Sequence, residues 1–264
     1  MAFVQQDLAI LRELVITDFK LRYQGSSLGY LWSLMRPLIL FTIYYLVFTK
    51  FLRFGETMEH YTTYLLSGIM LWNFFSEATV MGMQSIVARS GLIRKLNINK
   101  SIIVISTIVS ALINLMINLG VLGLFLLLTG GAYFAGLSVL LVVFYLFGLI
   151  ILTVSVAFIL ATAFVYYRDV GHLWEVGLQA IFYLTPFIYP VSIIPENFRK
   201  LILVNPLAFF VQGIRELIIT DQVTTSYEIG GWSYLVLIGF IMIVLVGFAW
   251  TIFTRESKKF AENI

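Results

Sequence analysis

The chain has 264 residues, of which 60% are hydrophobic and 12% charged, with a net charge of +3 and no cysteine. A soluble domain is about 45–50% apolar and about 25% charged, so this composition belongs to a bilayer. The missing cysteine excludes disulfides, thiolate metal sites, cysteine nucleophiles and S-palmitoylation, and so small a charge on so apolar a chain records loop orientation rather than binding to nucleic acid.

Residues 1–24 place Val4, Leu8, Leu11, Val15 and Phe19 at spacings of three or four, with Gln5, Arg12, Glu13 and Lys20 off that stripe. Together with Asp7 and Asp18 these charges rule out a signal-peptide core and predict an amphipathic helix lying in the membrane interface. The segment GSSLG, Gly25 to Gly29, then reads as a turn. A helix needs about 20 mostly apolar residues to cross about 30 Å of hydrocarbon. By that measure a first span runs from Leu31 to Phe51, with Arg36 near its inner end, and a second from Tyr61 to Met83, interrupted by Glu77.

From Ser101 to Tyr167 there is no charged residue, which is room for two spans broken at Gly130 and Gly131. A fifth span, Trp174 to Ile194, contains Pro186 and Pro190. Between Pro195 and Gly231 the apolar pieces Leu201 to Val204 and Leu207 to Ile214 flank Asn205 and Pro206, and neither is long enough to cross. They predict two short re-entrant helices in the outer leaflet. A last span, Trp232 to Phe253, ends at Arg255, Lys258 and Lys259. The expected fold is thus all-α: an interface helix, one six-span membrane domain over residues 31–253 that includes the outer pair at 195–231, and a tail at 254–264.

Lys/Arg counts orient these spans. Twelve of the 17 basic residues, namely Arg12, Lys20, Arg22, Arg36, Arg89, Arg94, Lys95, Lys100, Arg168, Arg255, Lys258 and Lys259, fall on one side. Lys50, Arg53, Arg199, Lys200 and Arg215 fall on the other, so both termini are expected in the cytoplasm. No internal repeat is visible.

Chemistry-bearing motifs are sparse. The stretch from Gly131 to Gly136, followed by Leu137 and Ser138, lacks the lysine of a phosphate-cradling loop, so any ATP must be bound by another chain. His60 and His172 lie in loops on opposite sides, which argues against a shared metal. Glu77 would cost about 2.5–3.5 kcal/mol in lipid and should face protein or water, with Asn73 and Ser76 as local partners or a substrate or subunit contact as the alternative. Trp32, Trp72, Trp174 and Trp232 are assigned to the interfacial belts.

The string LRYQGSSLGYLWSLMRPLI (Leu21 to Ile39), the exit YYRD (Tyr166 to Asp169), the element TPFIYP (Thr185 to Pro190), and the later IP, NPLAFF and GIRELI pieces (Ile194 to Ile218) occur in one order. In that order and spacing the chain resembles the permease subunits of type-2 ABC exporters, and most closely the branch that exports O-antigen, capsule or teichoic acid. The resemblance implies a half-transporter of the bacterial inner membrane that pairs with a second copy of itself. It also implies a separate cytoplasmic ATPase that binds ATP and Mg, no cofactor in this chain, and a cargo of glycan on a polyprenyl diphosphate. A type-2 exporter of a small drug or lipid is the alternative, with an ion-coupled carrier or intramembrane enzyme further off.

Against that background, Leu92, Ile93, Arg94, Lys95 and Leu96 read as a short ATPase-coupling helix or as a plain positive-inside loop. Phe41, Tyr44 and Phe48 on the first span and Tyr183 and Phe187 on the fifth read either as lipid-facing bulk or as stacking surfaces for sugars in a conduit widened by a bend at Pro186, with Glu77 as a further contact. Lys20, Arg22 and Arg36 near the inner interface suit an anionic carrier headgroup or ordinary anionic lipid.

Overall fold

A computed structural model describes residues 2–23, 29–53, 60–95, 98–129, 137–219 and 223–264. The elements are α1 (Ala2–Tyr23), a 3-10 turn Gly29–Leu31, α2 (Trp32–Tyr44) continued by a π-helical segment Tyr45–Phe51, α3 (Tyr61–Ala88), α4 (Ser90–Lys95), α5 (Lys100–Thr129), α6 (Leu137–Tyr166), α7 (Val170–Leu184), α8 (Glu196–Leu203), α9 (Pro206–Ile219), α10 (Ser226–Glu256) and α11 (Phe260–Asn263). No strand occurs among the described residues.

The core is built around α3, whose residues from Tyr61 to Phe75 are buried on nearly every side. Small residues permit this. A side chain at Gly82 would strike Ala157 of α6, so the two helices meet backbone to backbone there, as membrane helices do where small residues line the contact. On its other flank α5 presents a buried polar stripe of Ser106, Thr107, Ser110, Asn114 and Asn118. The three hydroxyls donate to carbonyls one turn back in their own helix, which satisfies them without a partner helix.

By length and composition, three described helices can cross a membrane alone: Lys100–Leu124, Leu140–Tyr166 and Tyr227–Asn263. The pair α8–α9, bent by 98° at Asn205 and Pro206, would make a fourth. The fifth expected span departs from its sequence reading. Helix α7 stops at Leu184 after 15 residues, about 22 Å, because Thr185 takes extended angles ahead of Pro186. Pro186 therefore ends the helix instead of bending it, and Thr185 to Ile194 continues irregularly apart from a 3-10 turn at Val191–Ile193. In α10, Gly231 has φ 58° and ψ −148°, a break that separates a short first turn from the long span beginning at Trp232.

Side-chain ties gather at two ends of the bundle. At one end Asp18 pairs with Arg89, Tyr166 donates to Glu256, and Arg94 donates to the carbonyl of Ile264. At the other, Tyr61 donates to the carbonyl of Ile188 and Tyr234 to that of Lys200.

Several local expectations change. Helix α1 rests on the core through Ile10 and Leu14, which leaves Leu8 of the expected interfacial stripe exposed. Trp72 packs on Phe182 and Phe187 in the core, and Trp174 donates to Thr79, so neither belongs to a belt, whereas Trp32 and Trp232 are exposed. Arg215, counted above with the outer-loop charges, is completely buried in α9. Residues 25–28 of the expected turn and the decoy at 131–136 lie outside the described residues.

Candidate functional site

The irregular stretch after α7 is the most polar place in the core, and Arg215 organises it. Its Nη1 donates to the carbonyl of Pro186 at 2.6 Å and to Oε1 of Gln212 at 3.1 Å. Its Nη2 donates to the carbonyls of Phe187 at 2.5 Å and Tyr64 at 2.8 Å, and the guanidinium stands 3.6 Å from the Tyr64 ring centroid. The Tyr64 hydroxyl reaches the carbonyls of Pro186 and Tyr189, and Asn205 donates to Thr185 Oγ1. The carbonyls freed by the break in α7 are thus answered by side chains of α3 and α9, which is what buried irregular backbone demands. Gly68 makes the space: any side chain there would collide with the Arg215 guanidinium and the Phe187 carbonyl. With four acceptors engaged, the cluster is a clamp holding the end of α7 to α3, not an open ligand site.

Around the clamp lies the aromatic surface expected of a conduit. Tyr183 is 66% exposed, while Phe187 is 0% exposed, stacked on Phe182 and set against Trp72. Phe187 therefore offers no surface to a passing glycan, because the chain turns inward once α7 has ended. Phe41, Tyr44 and Phe48 are half-buried, with Tyr44 leaning on Phe182 at 6.1 Å. Glu77 is half-buried and accepts a 2.9 Å hydrogen bond from Asn114 of α5. This partner lies across the helix interface and is not the expected Asn73 or Ser76, whose own contact is Ser76 donating to the Asn73 carbonyl.

At the opposite end, α4 forms a separate short helix, as its apolar spacing predicts. Ile93 is buried in the core and Leu92 packs against it, while Arg94 and Lys95 are exposed; Leu96 lies outside the described residues. Ile93 accordingly fastens α4 to the bundle, leaving Arg94 and Lys95 as the exposed part of this expected coupling segment. Arg89 ties this junction together, bonding Asp18 of α1, Ser106 Oγ and the Ile103 carbonyl. Lys20 is exposed; nothing is described of the side chains of Arg22 and Arg36.

The sequence reading missed Arg215, Tyr64 and the Asp18–Arg89 pair. Arg215 carried a signal, since it falls in register with the buried Ala208, Val211 and Ile218 of α9 and so cannot be a loop charge.

Comparison with known proteins fits this helical plan. The family model of ABC-2 type transporters matches residues 11–219. The O-antigen export system permease protein RfbA of Klebsiella pneumoniae is 30% identical over 93% of this chain and 91% of its own length. Its namesake in Myxococcus xanthus is 29% identical over 97% and 95%, respectively. The polysialic acid transport protein KpsM of Escherichia coli is 22% identical over 82% and 83%. The match to the family model runs from α1 to the end of α9 and so takes in the clamp, the Glu77–Asn114 contact and the α4 junction: the chain belongs to the ABC-2 type transporter family.

Proposed function

We propose that this chain is the membrane half of an ATP-driven exporter that carries a lipid-linked polysaccharide outward across the bacterial inner membrane. The observation that carries the reading is the similarity, over 82% to 97% of the chain, to export and transport proteins named for two different glycans, O-antigen and polysialic acid. What they share is a long sugar polymer, not one sugar.

On this reading six passes cross the membrane: α2 with its π-helical continuation, α3, α5, α6, α7 with the irregular stretch to Ile194, and α10. The two tied ends of the bundle support it, because α3 and α10 each carry ties at both, while α5 and α6 are long enough to cross alone and are tied at the Arg89 and Tyr166 end. The bent pair α8–α9 dips into the outer leaflet, and both termini are cytoplasmic. Two copies pair around the conduit, with Tyr183, Tyr44, Phe41 and Phe48 facing the glycan and Glu77 behind them. Each copy docks a separate ATPase against Arg94, Lys95 and Leu92 of α4, and Lys20, Arg22 and Arg36 meet the carrier diphosphate.

Deleting the gene in its host should remove the surface polysaccharide while lipid-linked polymer accumulates inside. Purified chain should hydrolyse ATP only when its partner subunit is present. Normal surface polysaccharide in the deletion strain would refute the cargo, and hydrolysis by the chain alone would refute the division of labour.

A further inference from the structure

Away from the clamp, α6, α9 and the start of α10 enclose a cavity of about 220 Å³. Tyr145, Phe209 and Tyr227 supply aromatic walls and Glu216 a carboxylate. The walls are fixed in place. The Tyr145 ring occupies the space that a side chain on Gly213 would need, and it meets Phe209 edge-on at 5.5 Å.

Glu216 sits badly for an unpaired anion. It lies in the last turn of α9, where the helix carbonyl end is negative and the chain supplies no basic residue. It is half-buried, and the Glu228 carboxylate is near enough to repel it. Glu228 is itself committed to the capping box that starts α10, accepting from the Thr225 N–H at 3.0 Å. Among the described residues no hydrogen bond or ion pair of Glu216 is found. Each of these effects favours a cation, and aromatic faces around a carboxylate are the surroundings that bind an ammonium group.

The two long helices beside it, α6 and α10, are apolar along their length and expose Phe144, Phe147, Val236 and Phe240, so acyl chains can lie against them. We infer that this cavity holds the ammonium headgroup of an aminophospholipid of the phosphatidylethanolamine type, with its acyl chains along α6 and α10. The inference requires only that the chain span a membrane. It is independent of the cargo, so lipid retention and export can fail separately.

The test uses the full chain purified with its ATPase, delipidated, then incubated with phosphatidylethanolamine or phosphatidylglycerol of identical acyl chains. Bound lipid is counted by native mass spectrometry. The ethanolamine lipid should be retained over the glycerol lipid by about fivefold, the factor given by one modest ion pair. Glu216→Gln and Tyr227→Leu should abolish the preference, and Glu216→Asp should keep part of it. Leu235→Lys, which places an ammonium in the cavity from within, should lower retention even if Glu216→Gln folds poorly. Equal retention of the two lipids, or a preference that survives Glu216→Gln, would overturn the assignment. Displacement by soluble glycerophosphoethanolamine or by an oligosaccharide at equal concentration would overturn the lipid as occupant.

Discussion

A guanidinium with no carboxylate beside it is an expensive thing to bury, and Arg215 survives because four acceptors and a tyrosine ring surround it. Arg215→Leu would leave the carbonyls of Tyr64, Pro186 and Phe187 without this donor, at about 1–3 kcal/mol for each one stranded. Arg215→Lys keeps the charge but loses the planar fork, so it should fall between leucine and the natural residue. Gly68→Ala changes no polar group, yet it should destabilise nearly as much, because its methyl group takes the space the guanidinium occupies. Thermal unfolding in detergent, followed by loss of the monodisperse peak, should rank the variants Leu lowest, then Ala and Lys, then the natural chain. If Gly68→Ala unfolds at the natural temperature, the clamp is not under steric control. The apolar stripe of α9 was legible in the sequence, and Arg215 lies on it; what was not legible was that backbone carbonyls of another segment would serve as its partners. Glu77 follows the same pattern: its need for a partner could be read, but Asn114 lies in another helix and pairwise contact leaves no local mark.

Helix α7 shows how an element boundary decides function. Hydropathy continues through Pro186 and Pro190, so the sequence suggests one long span with a bend. The covalent restriction on Thr185 stops it at Leu184. One turn of chain therefore separates two aromatic residues with opposite fates: Tyr183 on the last turn of the helix, exposed, and Phe187 past its end, enclosed by Phe182 and Trp72. Phe187→Ala should cost about 3–5 kcal/mol of stability and lower the amount of protein in the membrane. Tyr183→Ala should leave the amount unchanged and, if this face lines the conduit, slow export of polysaccharide at constant ATPase activity. Quantitative blotting of membranes beside a surface-polysaccharide assay separates the two effects. Normal export by Tyr183→Ala would return that face to the lipid. The short helix α4 was recognisable from its spacing, but the direction in which Ile93 points depends on packing against the bundle, which no local pattern encodes.

At the scale of the whole molecule the open matter is how often the chain crosses the membrane, since only three described helices are long and apolar enough to do so alone. The decisive stretch is α7 with the segment to Ile194. If it crosses, Arg168 and Glu196 lie on opposite sides; if it turns back, they lie on the same side. The chain contains no cysteine, so single cysteines can be introduced without first clearing a background. Lys95, Arg168, Glu196 and Glu262 are all exposed and suited to labelling. With a membrane-impermeant maleimide on intact spheroplasts, a cysteine at Glu196 should label at once, while those at Lys95, Arg168 and Glu262 should label only after permeabilisation. Tyr166 bonds Glu256, and Arg94 the terminal Ile264, so these last three positions belong to one tied end and should behave alike. Protection at Glu196 matching that at Arg168 would take α7 out of the six proposed crossings and turn the clamp at Arg215 toward the cytoplasm. It would also move the aromatic cavity at Glu216 to the inner leaflet, where its lipid would have to be drawn from the opposite face of the bilayer.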